Sequence, residues 1–412
     1  MLFTSATPAT KPKPKVRRAH YQLISVVRVW CRGCASLTHN RANMRRNRDD
    51  DAASDDERAS ETTLAGRNIL VIGGTEFIGR ATTMALLKAG ASVTIANRGQ
   101  TPNPFGEAVR HVRCDRRDQP DELRRILLDG ADGVIWDAVV DFVAFEPADV
   151  APILEASARR RLSRYVVIST DSVYMACDPA SFERDRVSGR LLETSDASHC
   201  EARARHDEYG ADKLEMEATL RRDGGGAHLD WLALRLPDVL GPHENTGRME
   251  RLLLKLCKGR AIGTAIDGAA GAAEELPLGI VFASDVARAV TAALLLLLED
   301  RSEDAAAARR SLHICCEEAP TWPALVRSAV ASLRAAGVEV PEPRFDRTRD
   351  TGFISVDFGA LDGGAARDAL GGWAPERFEA QWRASVEWYV ATLRSRFASE
   401  TTGTAAAEGH RT

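Results

Sequence analysis

A chain of 412 residues with 44% apolar content can build one large domain or two ordinary ones. Its charge is unevenly divided: residues 1–48 carry eleven Lys or Arg and no acid, leaving 44 basic and 59 acidic residues beyond them, a net of −15. An acidic body makes a poor nucleic-acid surface, because phosphate binding needs a positive face. No apolar run reaches the roughly 18 to 20 residues that a membrane-crossing helix needs.

Residues 1–65 read as a disordered basic and acidic arm. "KPKPK" resists helix and strand, and "RNRDDDAASDDERASE" is a solvated charge run. A basic, acid-free start can be a transit peptide to a plastid or mitochondrion; otherwise the arm is untargeted and the protein cytoplasmic. The arm holds a lone CxxC, Cys31 and Cys34, with no second pair to complete a zinc site, so no metal is expected. Scattered thiols point to a reducing compartment. Cys315 and Cys316 read as buried free thiols within a strand-like run, "SLHICC".

From Arg67 the pattern alternates strand and helix. "NILVIG", "SVTIANRG", "VRHVRCD", "DAVVDFVAF" and "RYVVIST" read as strands, with helices such as "GRATTMALLKAGA", "PDELRRILLDG" and "ADVAPILEASARRR" between them. Nearly continuous apolar strands of this kind signal an α/β fold: a doubly wound parallel sheet covered on both faces. "AVTAALLLLL" reads as a buried helix, and residues 397–412 as a frayed tail.

The first strand runs into "GGTEFIG". Gly73 and Gly79 fill the outer positions of G-x-x-G-x-x-G, Gly74 adds a second flexible point, and Glu76 takes the place of the middle glycine. In a dinucleotide site these glycines make the tight turn, admit the pyrophosphate and let helix pack on strand. The helix amino terminus favours an anion, which can be a phosphate or the Glu76 carboxylate acting as a mere cap. The second strand ends in Asn97 and Arg98 with no acid, and an arginine there suits a 2′-phosphate, a lean towards NADP over NAD.

Tyr209 and Lys213 stand four apart in a helical pattern, hence on one face. A free tyrosine, with a pKa near 10, is a poor acid or base at neutral pH; a neighbouring ammonium lowers that pKa. The chain has only five Tyr and seven Lys, so the pair is suggestive. Upstream, "RYVVISTDSVYM" ends a strand with Ser169, Thr170, Asp171 and Ser172; a Ser or Thr hydroxyl there can bond a substrate oxygen or merely close strand and turn.

On these motifs, and on "LALRLPDVLGP", "VFASDVARAV" and the late "ALGGWAPERFEAQWRASVEWY", the chain resembles the extended short-chain dehydrogenase/reductases, the NAD-dependent epimerase/dehydratase family, from about Arg67 to Leu393. The resemblance implies a Rossmann domain over residues 66–236, to which 283–315 return. It also implies a small C-terminal substrate-binding subdomain from 237–282 and 316–396. It makes Tyr209 the acid/base, Lys213 the group that holds the nicotinamide ribose and tunes Tyr209, and Thr170 their hydroxyl partner. Gly73, Gly74, Thr75, Phe77, Ile78, Gly79, Asn97, Arg98, Asp115, Val143 and Ala144 would line the NAD or NADP site. The implied chemistry is hydride transfer at a hydroxyl-bearing carbon of a sugar-like or small alcohol substrate, with a possible homodimer and no membrane.

Three departures narrow the substrate. Asp238 and Leu278 stand where nucleotide-sugar epimerases usually place an Asn and an Arg near the diphosphate, which argues against a UDP-sugar. Ser172 stands where 4,6-dehydratases place a proton-abstracting Glu. "GGTEFIG" with "ANRG" is also similar to a subgroup that includes the chloroplast stem-loop binding proteins, which implies an alternative: a Rossmann protein that binds RNA or acts as a scaffold.

Overall fold

The computed structural model describes residues 64–131, 133–194, 197, 200, 207–224, 226, 228–265, 277–299, 311–351 and 359–408. The basic arm and its Cys31–Cys34 pair lie outside the described residues. The chain divides into a unit of residues 55–395 and a second of 1–54 with 396–412. Among the described residues, every strand lies in the first unit.

Strand β1 (Asn68–Ile72) shows why the strands are apolar throughout. Ile69 and Val71 join one core and Leu70 and Ile72 the other, all at most 4% exposed. After β1 come α1 (Phe77–Lys88), β2 (Ser92–Asn97), β3 (Arg110–Arg113), α2 (Pro120–Asp129), β4 (Ala138–Asp141), α3 (Pro147–Ala158), β5 (Arg164–Thr170), α4 (Glu208–Asp223) and β6 (Asp230–Leu236). Then follow β7 (Asp238–Leu240), α5 (Arg248–Cys257), β8 (Ile262–Ala265), β9 (Ile280–Phe282), α6 (Ala283–Leu298), β10 (Ser311–His313), α7 (Trp322–Ala335), β11 (Phe345–Asp350), α8 (Gly364–Ala369) and α9 (Phe378–Glu408).

Seven strands form one sheet in the order β10-β6-β5-β4-β1-β2-β3, and every pairing is parallel. Helices α1 and α6 share one core with the sheet, and α2, α3 and α4 share the other. This is the doubly wound Rossmann arrangement. The chain reverses its direction of winding between β1 and β4, and in such sheets ligands bind outside the carboxyl ends of the strands at that point. Two small parallel pairs, β7 with β9 and β8 with β11, stand apart from the main sheet. Among the described residues no helix is long and apolar enough to cross a membrane.

Two local readings need correction. Strand β10 ends at His313, so Cys315 and Cys316 are buried beyond it rather than in it; burial pushes the Cys315 thiol up to about 12. The terminal helix runs to Glu408, past the expected fray point at 397, because the alanine-rich "TAAAE" is a good helix former.

A buried polar network ties β5, β6, β10 and α4 together. Ser169 lies opposite Arg235 in the sheet register. Both reach Glu217 of α4: Ser169 Oγ donates to it at 2.5 Å and Arg235 Nη2 at 2.6 Å, and Ser311 Oγ adds a third bond at 2.8 Å. Arg235 also donates to the Tyr174 hydroxyl at 2.9 Å, which lies 2.6 Å from His313 Nε2. His313 Nδ1 faces the Asp362 carbonyl at 3.0 Å and must donate to it, so Nε2 accepts from Tyr174. Burial, and then Arg235, push His313 down to about 3, in keeping with a neutral ring.

Burial alone would raise Glu217, but Arg235 and the two serines hold its carboxyl below the usual range. Removing one partner of a desolvated ion pair strands the other charge. Glu217→Ala is therefore expected to cost about 3–5 kcal/mol in denaturant unfolding. A loss below about 1 kcal/mol, the value of an exposed pair, would mean the pair is hydrated.

Candidate active site

The glycine loop leaves β1 and enters α1 through a contact that only glycine allows. Gly73 takes φ +91°, and a Cβ on Gly79 would fall 2.1 Å from the Gly73 carbonyl oxygen. Helix and strand therefore meet backbone to backbone. Gly74 is fixed from behind, where Thr83 Oγ1 donates to its carbonyl at 3.0 Å. Phe77 is buried and Ile78 half-buried at the helix start. No side chain caps α1, so its first N–H groups keep no acceptor from a cap.

Glu76 occupies the N-cap position of α1 without capping it. The cap reading from sequence fails for a geometric reason: the carboxylate turns away. Its Oε1 accepts from Thr101 Oγ1, and Oε2 lies 3.4 Å from Asn245 Nδ2. Thr75 Oγ1 accepts from Asn97 Nδ2 at 2.9 Å, which joins the loop to the end of β2. Arg98 is exposed beside it. Asp115 follows β3, and its Oδ1 accepts from the Arg117 and Asp118 N–H groups at 3.0 and 3.3 Å, closing a turn. Val143 follows β4 and lies against Gly73, its Cγ1 3.0 Å from where a Cβ would stand.

At the end of β5, alternation sends Ser169 into the buried network and leaves Thr170 for the site. Thr170 Oγ1 accepts from Ser172 N at 3.1 Å and caps the short 3-10 helix Asp171–Ala176. Helix α4 comes close to that segment because residue 210 is glycine: a Cβ there would fall 2.0 Å from the Ser172 carbonyl oxygen. Asp207 accepts from Gly210 N at 3.1 Å and starts the helix. This approach brings the start of α4, with Tyr209, against the segment that Thr170 caps. Tyr209 is 45% exposed as a whole. Burial pushes it up to about 12, against the hydrogen bond with Thr170 and with help from Asp171 and Asp207.

Lys213 is 2% exposed, and its ammonium donates to the Ala144 and Ile168 carbonyls, both at 2.7 Å. It lies 4.9 Å from the centre of the Phe145 ring, which is 6.3 Å from that of Tyr209. Burial brings Lys213 down to about 8, opposed by Asp141, Glu217 and Asp149. Those carboxylates are themselves organised. Arg116 pairs with Asp141 at 3.0 Å and Asp149 at 3.3 Å, and Tyr165 donates to Asp141 at 3.1 Å.

The expected residues thus gather at the carboxyl edge of the sheet, on the ends of β1, β2, β3, β4 and β5 and on α4. A dinucleotide fits this edge: the loop has no Cβ where Gly73 and Gly79 meet, and the helix start above it is uncapped. The sequence reasoning missed Phe145, Gly210 and the Arg116 cluster. The glycine directly after Tyr209 was the visible signal for the close approach.

The substrate side departs from one expectation. Asp238 does not stand as a bare repulsive charge, because Arg248 pairs with it and lies 3.6 Å from Glu244. Glu244 in turn accepts from the first N–H groups of α5, Arg248 and Met249, both at 3.0 Å. Leu278 is buried, 2% exposed.

Comparison with known proteins agrees with this geometry. Two curated relatives are a chloroplast stem-loop binding protein of 41 kDa from Arabidopsis thaliana and 2'-dehydrokanamycin reductase from Streptomyces kanamyceticus. The first is 28% identical over 209 residues, 48% of each chain, and the second 33% identical over 171 residues, 42% of each. The chain thus spans about half the length of the curated relatives it matches. Among solved structures, the fold matches a UDP-glucose 4-epimerase from Thermotoga maritima at TM-score 0.59 and 20% identity, covering 79% of this chain and 99% of the other. It also matches one from Stenotrophomonas maltophila with bound NAD at 0.60 and 22%, covering 80% and 99%. The model of the NAD dependent epimerase/dehydratase family matches residues 69–303, more than half of the chain, and with the glycine loop, Thr170, Tyr209 and Lys213 at one sheet edge, the protein belongs to that family.

Proposed function

We propose that the protein is an NAD(P)-dependent oxidoreductase that reduces a carbonyl, or oxidises the matching alcohol, on a small sugar-like substrate. The observation that carries this reading is geometric: Tyr209 and Lys213 stand one turn apart on α4, beside Phe145 and next to the segment that Thr170 caps at the end of β5. A protonated Tyr209 hydroxyl there can give its proton to the substrate oxygen in reduction, and in oxidation the same group takes that proton back. When bound, the dinucleotide supplies the hydride. The chain's own part is positional. Thr170 holds the Tyr209 hydroxyl, Phe145 packs beside Tyr209 and Lys213, and the Lys213 ammonium keeps a third N–H for a ribose hydroxyl after bonding two carbonyls. Glycines 73, 74 and 79 with Thr75, Phe77 and Ile78 would receive the pyrophosphate, and Asp115, Val143 and Ala144 would flank the site.

A small substrate is favoured over a nucleotide sugar. Asp238, paired with Arg248, stands where an Asn is expected, and Leu278 offers no charge where an Arg is expected, so both expected diphosphate contacts are missing on this side. The 33% identity to 2'-dehydrokanamycin reductase is consistent with that choice. RNA binding is the second reading, and the stem-loop binding relative favours it. It would draw on the basic residues 1–48, so deleting them should abolish RNA retention in a filter-binding assay. Retention that survives the deletion would contradict that assignment, place RNA binding on the acidic remainder, and rank RNA binding above the enzyme reading.

Tyr209→Phe should reduce turnover by at least about 10²-fold, the usual worth of a positioned proton donor, while dinucleotide affinity changes little. A screen of ketoses and deoxyketose glycosides with NADH and NADPH reads turnover, and calorimetry reads affinity. Equal loss of both would contradict the role. Lys213 gives a pH test. Its value in the free protein is lowered to about 8 because burial disfavours the charge. A ligand that uses the ammonium binds the charged form, so affinity should hold below pH 8 and weaken as pH rises beyond it. Lys213→Met should remove that slope, and an unchanged slope would assign it elsewhere.

A further inference from the structure

The turn from β4 to α3, residues 142–146, supplies two of the contacts that hold Lys213. The Ala144 carbonyl accepts from its ammonium at 2.7 Å, and the Phe145 ring centre lies 4.9 Å from it. Two buried carboxylates hold this turn. Asp141 Oδ1 accepts from Val143 N at 2.9 Å, and Asp149 Oδ2 accepts from Phe145 N at 2.7 Å and Glu146 N at 3.2 Å. These bonds bracket Ala144. Arg116 spans both carboxylates, 3.0 Å from Asp141 and 3.3 Å from Asp149, and its Nη2 donates to the Asp149 carbonyl at 2.8 Å. Tyr165 donates to the second Asp141 oxygen at 3.1 Å.

Hydrogen bonding alone does not require charge at these positions, since an asparagine could accept from the same N–H groups. What the carboxylates add is a balance. Arg116 and Lys213 bring two positive charges into the interior, and Asp141 and Asp149 bring two negative ones. The side chains of Arg116, Asp141 and Asp149 are 9%, 0% and 8% exposed, so water screens these charges poorly. Arg116 answers one carboxylate and leaves the other for Lys213. The other groups nearby are committed elsewhere. Glu217, on the same helix as Lys213, is bound by Arg235, Ser169 and Ser311. Asp171 and Asp207 act on Tyr209. Burial and then Asp141 hold the Tyr165 phenol well above its ordinary range, so it stays neutral.

We propose that Arg116, Asp141 and Asp149 are positioning residues for the site: they hold the 142–146 turn against Lys213 and set the net charge that its ammonium meets. The inference rests on the dinucleotide reading for its effect on binding, but its effect on Lys213 stands in the free protein. Burial lowers Lys213 to about 8; Asp141, Glu217 and Asp149 oppose that shift, and Arg116 adds to it. The sign for each residue follows. Loss of a carboxylate leaves the ammonium less favoured, and loss of Arg116 leaves it more favoured.

The test follows the lysine side chains of the full chain by NMR with ¹³C-labelled lysine. The chain has seven Lys, and the Lys213 signal is the one lost in Lys213→Met. Wild type should titrate near pH 8. Asp141→Asn should lower that midpoint by about one pH unit or more, and Asp149→Asn should lower it too. Arg116→Gln should raise it, whereas Arg116→Lys, which keeps the charge, should restore it to within about half a unit of wild type. Calorimetric titration with NADH and NADPH across the same pH range should show affinity falling at the shifted midpoint of each variant. Circular dichroism checks the fold, and the two carboxylate variants test the same sign independently if one of them unfolds. A midpoint that stays put or rises in the carboxylate variants overturns the inference. So does a shift of the same sign in Arg116→Gln, which is what loosening of the turn alone would give. Shifted midpoints without binding of either dinucleotide would support the charge set and overturn the dinucleotide reading instead.

Discussion

A buried ammonium joins the parts of this site. Lys213 bonds the carbonyl of Ala144, just past β4, and that of Ile168, within β5, and so fixes the strand ends on either side of the cleft to α4. A charge is expensive to bury, and the two carbonyls with Phe145 and the nearby Asp141 offset that cost. The same helix carries Tyr209 one turn before Lys213 and Glu217 one turn after it. Three consecutive turns therefore serve three layers: the proposed proton donor, the strand clamp and the buried ion pair.

The buried pair of Glu217 and Arg235 matters to the site through Ser169. Its hydroxyl is bound to Glu217 of α4, and Thr170, the next residue, ends the strand and caps the 3-10 segment that α4 approaches. Ion pairs of this kind contribute little net stability compared with apolar packing, but they resist alternative registers. A one-residue slip of β5 would exchange Ser169 and Thr170 and break both layers. The network extends to Tyr174 and a neutral His313, so β10, the strand at the far edge, is also held in register.

Much of this was legible in the chain itself. Continuous apolar strands, two outer glycines in the loop, a hydroxyl at a strand end and Tyr209–Lys213 on one helical face each have a short-range cause, so local pattern reveals them. What escaped is long-range. Glu76 lies 25 positions from Thr101 and 169 from Asn245, and no local rule says which of them its carboxylate will meet. Asp238 was read only against a diphosphate because its partner Arg248, ten residues on at the start of α5, is not fixed by local pattern. Phe145 was invisible as a site residue because an aromatic after a strand is ordinarily core. Gly210 was different: its position directly after Tyr209 was visible, and the close approach to Ser172 explains it.

The central claim is that one contiguous cleft binds a dinucleotide against Tyr209. Amide hydrogen exchange of the full chain, with and without dinucleotide, tests it most directly. The account predicts slowed exchange confined to three segments far apart in sequence: residues 73–80, residues 142–145 and the first two turns of α4. Unchanged exchange there at saturating ligand, or slowing confined to other segments, would contradict it.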